Sequence, residues 1–152
     1  MIKVLFICHG NICRSPMAEY ILKDMVRKKG MDDRFFIASA AVSREEIGND
    51  VYPPARRCLT RHGIPCPSRR AVQMTKADLD RFDWILYMER YNESGLRRIL
   101  GDLPQKEVRR LLDFSSRPRD VDDPWYTGDF ETAFSDIQEG CAAFLNEMEG
   151  CL

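Results

Sequence analysis

A single doubly wound α/β domain over residues 1–152 is the fold class this sequence predicts, with a four-stranded parallel sheet flanked by helices on both faces. Three observations predict it. Short apolar runs recur between amphipathic helical stretches along the chain. Those runs are continuously apolar rather than alternating, as in strands covered on both faces. A chain of 152 residues is long enough for one core without staples.

The first strand is read at 2–8, where Val4-Leu5-Phe6-Ile7 delivers Cys8 to its end. A helix over 15–29 follows, with Met17, Ile21 and Met25 on one line, Ala18 and Leu22 one turn round, and Gly30 as its stop. Phe-Phe-Ile-Ala-Ser at 35–39 gives the second strand. Helices over 54–62 and 75–81 precede a third strand at 83–88 (Asp-Trp-Ile-Leu-Tyr-Met). A helix over 91–100 and a weaker strand at 108–113 come next. The last helix, 130–148, aligns Phe130, Phe134, Ile137, Cys141, Phe144, Leu145 and Met148 as a core stripe. Residues 114–129 (FSSRPRDVDDPWYTGD) form the one long loop, and long loops in compact domains are often functional. In a doubly wound sheet ligands sit outside the carboxyl ends of the strands, which is where Cys8 falls.

Charge narrows the partners. With 23 basic against 24 acidic residues the chain has no polyelectrolyte signature, so neither nucleic acid nor an anionic membrane is expected. Arg56-Arg57, Arg97-Arg98 and Arg109-Arg110 read as solvated pairs on helical faces. No apolar run approaches the ~18 residues of a membrane span, and MIKVLFIC is too short for a signal peptide, so a cytoplasmic protein is expected. The six cysteines are irregularly spaced, which fits neither a disulfide framework nor a zinc site. His9 and His62 stand too far apart in sequence to make one. No metal or cofactor is expected, and the chain is read as a monomer or weak dimer.

Chemistry concentrates in CHGNICRS at 8–15. A helix starting near Ser15 points its unsatisfied N–H groups and positive dipole end back at the loop before it. Amides from His9, Gly10, Asn11, Ile12, Cys13 and Arg14 can then converge on one anion. Gly10 supplies backbone freedom, and Asn11 tolerates a left-handed conformation. Arg14 offers planar bidentate donation to two phosphate oxygens. The same positive field favours the thiolate of Cys8, and the Ser15 hydroxyl is placed to donate to that sulfur. A cysteine closing an apolar run is by itself an ordinary buried thiol. The fixed distance to Arg14-Ser15, with Gly-Asn between, points instead to a phosphate-directed nucleophile.

A thiolate attacking phosphorus needs its leaving oxygen protonated, so a general acid must come from elsewhere in the chain. The 114–129 loop offers Asp120, Asp122 and Asp123. Asp123 is favoured because Pro124 holds it extended and stiffens the turn that aims it. Trp125 and Tyr126 follow directly, large aromatics on a polar loop that serve either as walls around a flat substrate ring or as anchors for the loop.

With these residues in view, the chain resembles the low-molecular-weight protein tyrosine phosphatases over its full length. The resemblance rests on CHGNICRS (8–15), Ser39-Ala40, EIGN (46–49), RHGI (61–64), FDWILYM (82–88) and DDPWYTGDFE (122–131). It implies Cys8 as nucleophile, Arg14 as phosphate clamp and Asp123 as acid. It further implies that Asn11 and Ser15 shape the loop, that Ser39 buttresses Asn11, and that Cys13 can form a reversible disulfide with Cys8 under peroxide. The implied reaction is hydrolysis of phosphotyrosine or other aryl phosphates through a phosphocysteine, with no metal because Arg14, the amides and the helix end supply positive charge.

Three positions depart from the family pattern. Glu45 takes, by gapless alignment from Ser39, a rim position where many members carry an aromatic residue, and a carboxylate there would repel acidic peptides. A histidine that many relatives place near the loop is replaced by Arg69 or its neighbour in PSRRAVQ. His9 stands where Leu or Thr is common. Three rivals share parts of the pattern. A protein arginine phosphatase would resemble this chain with Thr in place of Ile12, whose bulk should crowd a phosphoguanidine. An arsenate reductase would need a cysteine pair between Cys66 and Cys141, where none lies. A phosphate-binding or redox module without turnover would need no acid.

Overall fold

The chain alternates strands and helices as predicted. In the computed structural model, which describes residues 1–104 and 106–152, the order is β1 (Ile2–Cys8), α1 (Arg14–Lys28), β2 (Phe35–Ala41), α2 (Pro53–Arg61), α3 (Asp78–Arg81), β3 (Trp84–Tyr87), α4 (Tyr91–Leu100), β4 (Val108–Arg110), α5 (Pro124–Thr127) and α6 (Phe130–Glu149). Short 3-10 turns precede β2 and follow β4. The sheet runs β2-β1-β3-β4 with every pair parallel. The connections leaving β1 and β2 therefore lead to opposite sides of β1, and a crevice opens at its carboxyl end. Cys8 lies there, opposite Ala41.

Two cores follow from the period of two along β1. Val4, Phe6 and Cys8 face a cluster with Met17, Ile21 and Leu22 of α1, Leu59 of α2, and Ile137, Phe144 and Met148 of α6. Leu5 and Ile7 face the other way, toward Leu96 and Leu100 of α4, Phe82 and Met74. Of the predicted stripe on α6 only Phe130 is incompletely buried. No described helix is long and apolar enough to cross a membrane.

Three predicted elements differ most from expectation. The 75–81 helix contracts to the single turn Asp78–Arg81. Just upstream the chain is pinned as extended backbone on the end of β2, through Ala41 N–H to Val72 O (2.8 Å) and Met74 N–H to Ala41 O (2.8 Å). The 108–113 strand ends at Arg110, and Leu111–Phe114 forms a 3-10 turn that buries Leu111 and Leu112. The 114–129 loop contains the one-turn helix α5.

The loop that carries the aspartates is tied down before it reaches the crevice. Arg119 bonds Asp136 (2.7 Å) and Glu139 (3.0 Å) of α6, and the Ser115 hydroxyl donates to Glu139 (2.6 Å). Arg110 is no solvated helical arginine, because it bonds Asp120 (2.9 Å) and Asp113 (2.8 Å). Its neighbour Arg109 lies over the Phe114 ring at 4.3 Å. The Val121 N–H then donates to Met88 O (2.9 Å) at the end of β3.

Two predictions follow. A Cβ at Gly140 would lie 2.6 Å from the branch carbon of buried Leu111, so Gly140→Ala should lower the unfolding free energy measured by urea melts by a net of about 1–2 kcal/mol, the overpacking outweighing the gain in helix propensity. The hydrogen bonds from Arg119 and Ser115 hold the Glu139 carboxyl down at about 2. A depressed carboxyl contributes stability that is full above its unfolded value of 4.5 and is lost as pH falls through about 2. The stability difference between the wild type and Arg119→Ala, measured by urea melts at stepped pH, should therefore shrink from pH 6 toward pH 2.

Candidate active site

The loop after β1 closes on the sulfur of its own first residue. The Asn11 N–H donates to Cys8 Sγ at 3.3 Å, and the Ser15 hydroxyl lies 3.1 Å from the same sulfur. Asn11 makes this curl possible by taking a left-handed conformation (φ 60°), the only non-glycine among the described residues to do so. Gly10 is needed for space rather than for a special φ, since a Cβ there would press on Glu46 Cγ at 3.2 Å. Backbone bonds from Val42 to Cys8 O (3.1 Å), Ser43 to His9 O (3.1 Å) and Tyr52 to Ile12 O (2.9 Å) fasten the next loop alongside.

Behind the loop a side-chain network has a determined direction. Asn11 Oδ1 accepts the Val72 N–H (3.2 Å), which fixes the amide's orientation. Its Nδ2 donates to Ser15 Oγ (2.8 Å) and Ser39 Oγ (2.9 Å). The Ser39 hydroxyl donates to Glu19 Oε1 (2.6 Å), a carboxylate that can only accept. Ser15 accepts from Asn11, which leaves its own proton available to the Cys8 sulfur. Asn11, Ser15 and Ser39 are buried and brace the loop from behind rather than line the crevice. The backbone of Val72, and not Arg69, serves the loop from the PSRRAVQ segment. Arg69 bonds Asn49 O (3.4 Å) and Asp50 instead.

Arg14 is 1% exposed, yet it lines the floor of the crevice. Its Nη1 donates to Val121 O (2.8 Å) and its Nη2 to Glu89 Oε1 (3.1 Å), with Asp123 Oδ2 3.3 Å from Nη2. Burial would lower its pKa, but the charges of Cys8 and Asp123 and the Glu89 bond more than offset this, and the guanidinium stays charged. The Cys13 thiol is pushed far up by burial first and by neighbouring Cys8 and Asp123 next, so Cys13 remains a thiol beside Cys8.

The three aspartates separate by geometry. Asp120 accepts from the Arg90 N–H (3.0 Å) and from Arg110, a structural position. Asp122 is exposed outside the crevice lining. Asp123 is extended (φ −76°, ψ 111°), accepts the Trp125 N–H (3.1 Å) to cap α5, and turns its other oxygen toward Arg14. Trp125 and Tyr126 divide the two roles open to them. Trp125 packs on Tyr52 with ring centroids 4.7 Å apart while also lining the crevice, whereas Tyr126 is 84% exposed and lines the crevice without such an aromatic partner.

The crevice, about 130 Å³, gathers Cys8, His9, Gly10, Ile12, Cys13, Arg14, Glu45, Asp123, Trp125 and Tyr126. All were singled out in the sequence. Reasoning from sequence missed Glu46 on the rim, Glu89 and Val121 around Arg14, and Glu19 at the end of the Asn11 network. Glu46 could have been found, because it sits beside Glu45 in a segment already marked. Glu89 and Glu19 carried no signal beyond an acidic residue in a helical or turn context. His62 is also less isolated than its sequence position implied. Cys58, His62 and Glu131 bring donor atoms within 4.8 Å of one another. Glu131 is already countered there by His62 (2.7 Å) and Arg61 (2.9 Å), which hold its carboxyl at about 2, and burial lifts the Cys58 thiol to about 11. The cluster is an ion pair joining α2 to α6.

Comparison with known proteins agrees with this geometry. A family model described as low molecular weight phosphotyrosine protein phosphatase matches residues 3–150. The chain is 40% identical over 151 residues to the low molecular weight protein-tyrosine-phosphatase YfkJ of Bacillus subtilis, covering 98% of this chain and 97% of that protein. The crystal structure of YfkJ superposes with a TM-score of 0.92 over 99% of this chain and 96% of that one. The human low molecular weight phosphotyrosine protein phosphatase is 38% identical over 149 residues, covering 95% of this chain and 94% of that protein. A Drosophila arginine phosphatase shares the fold at a TM-score of 0.87 and 29% identity, over 97% of this chain and 98% of that one. The backbone alone therefore does not separate the two activities, but the full-length matches in sequence and structure do place the chain: it belongs to the low-molecular-weight protein tyrosine phosphatase family.

Proposed function

We propose that residues 1–152 act as one phosphatase domain that hydrolyses phosphotyrosine in protein segments, and other aryl phosphates, through a phosphocysteine. The observation that carries the reading is the convergence on one crevice floor of the Cys8 sulfur, the buried Arg14 guanidinium and the Asp123 carboxyl. Cys8 thiolate attacks phosphorus in line. The P–O bond to the aryl group breaks as protonated Asp123 gives its proton to the departing phenol oxygen. The phosphoryl oxygens are held by the loop amides and Arg14, donors fixed before the charge arrives. Asp123, now ionised, takes a proton from water attacking the phosphocysteine. The P–S electron pair returns to sulfur, where Asn11 N–H and Ser15 receive it, and phosphate leaves.

Ile12 supports phosphotyrosine over phosphoarginine. It lines the crevice and packs with Ala71 and Tyr52. A flat ring between Ile12 and Tyr126 gains apolar contact, whereas a phosphoguanidine would lose hydration there. We further place the protein in the cytosol, acting without a required partner subunit. All six cysteines are unpaired, as a reducing compartment would keep them.

Four outcomes are expected. Cys8→Ser should reduce hydrolysis of p-nitrophenyl phosphate to background, and turnover at wild-type rate in that variant would remove the mechanism. Asp123→Ala should slow kcat by about 10²–10⁴ while inorganic phosphate still binds, as read by competitive inhibition. Glu89→Ala should lower kcat/KM by about ten- to a hundredfold, which is about 1.4–2.7 kcal/mol of transition-state stabilisation, because Arg14 loses the carboxylate that orients it. Phosphotyrosine and phosphoarginine peptides of one sequence should be split in favour of phosphotyrosine. A preference for phosphoarginine would reverse the substrate assignment.

A further inference from the structure

The rim of the crevice carries the opposite charge from its floor. Arg14 lies at the base, almost without exposure, and is matched there by an incoming phosphate. Beside the floor groups Cys8, Arg14 and Asp123, the lining holds the carboxylates Glu45 and Glu46 against the single imidazole of His9. Neither rim glutamate is free to wander. His9 Nε2 lies 2.9 Å from Glu45 Oε2, bridging the loop after β1 and the loop after β2 across the mouth. Asn49 donates to Glu46, whose stem rests over Gly10. Arg44, the nearest cation in sequence, bonds Gln73 Oε1 (3.3 Å) on the far side of the turn. Glu45 is 69% exposed, so its charge reaches whatever lies beside the entering side chain.

From this arrangement we infer that the rim selects phosphotyrosine flanked by lysine or arginine and disfavours acidic neighbours, with Glu45 and Glu46 as the specificity residues and His9 as the positioning residue that holds Glu45 at the mouth. The inference rests on the phosphotyrosine reading above. Once the dianionic phosphate has paired with the floor, the remaining field at the mouth is negative. A cationic residue one or two positions from the phosphotyrosine meets attraction there, and an anionic one meets repulsion. Exposed pairs of this kind change binding modestly and add up over the two glutamates. Exchanging flanking lysine for glutamate should therefore alter kcat/KM by about five- to twentyfold, mainly in KM, at low salt. Screening should erode the effect as ionic strength rises toward ~0.5 M.

The test measures kcat/KM for three peptides sharing one phosphotyrosine core, flanked by Lys, Gln or Glu, with wild type and rim variants. The expected order is Lys above Gln above Glu. Glu45→Gln and Glu46→Gln should each compress the Lys-to-Glu ratio by about two- to fourfold, and Glu45→Lys should bring it near or below one. His9→Ala should compress the ratio about twofold. His9→Gln, whose amide can still donate to Glu45, should restore it, which a merely structural role for His9 would not produce. A wild-type ratio near one, or a ratio that Glu45→Lys leaves unchanged, overturns the inference while leaving phosphotyrosine hydrolysis intact. Failure of the underlying reading looks different: no turnover of any of the three peptides, beside turnover of a phosphoarginine peptide, removes both.

Discussion

Burying the guanidinium of Arg14 is the constraint from which the site follows. A cation removed from water is costly unless it is paired and hydrogen-bonded, and within β1 and α1 only the Cys8 sulfur contributes charge compensation. Glu89 from the end of β3, the carbonyl of Val121 and the carboxyl of Asp123 do so together. One side chain thus ties the first loop of the chain to the third strand and to the acid loop. Satisfying it also brings Asp123 to the crevice that Cys8 lines, so the proposed catalytic geometry follows from an electrostatic requirement of the fold.

The sulfur is prepared by a second, separate arrangement. Asn11 accepts the strained left-handed φ and in return donates both amide hydrogens, to Ser15 and Ser39. The carboxylate at the end of that chain, Glu19, accepts the Ser39 proton. Ser15, 3.1 Å from the sulfur, can donate to Cys8 in its proposed roles as attacking thiolate and as leaving group. Arg14 and this network share no side chain; they meet only at the crevice.

The sheet was legible because parallel strands covered on both faces leave continuous apolar runs, and the Cys8-to-Arg14 spacing was legible because a phosphate-wrapping loop leaves few choices of residue. Asp123 could be picked from three neighbours through Pro124 alone. Glu19, Glu89 and Val121 could not be read, since their roles arise from distances of twenty to more than a hundred residues in sequence and Val121 acts through its carbonyl, which any residue possesses. The overlong 75–81 helix and 108–113 strand failed for the same reason. Local propensity favoured continuing them, while a backbone bridge to Ala41 and the burial of Leu111 against Gly140 ended them. Arg110 misled because a pair of arginines in a polar stretch looks identical whether it faces water or grips Asp120.

The position of β1 at the centre of the sheet bears on the order in which the molecule comes to life. Cys8, the proposed nucleophile, belongs to the first strand of the domain, but both of that strand's neighbours follow it in the chain, and the groups that pair Arg14 come later still. Contacts of such long sequence separation form late, after the loop-closure entropy has been overcome. A nascent or partly folded chain therefore holds Cys8 as an unremarkable thiol, without its guanidinium fixed or its acid in place. Reactivity is coupled to completion of the native state, and a chain that stalls on the way exposes a cysteine but not an enzyme.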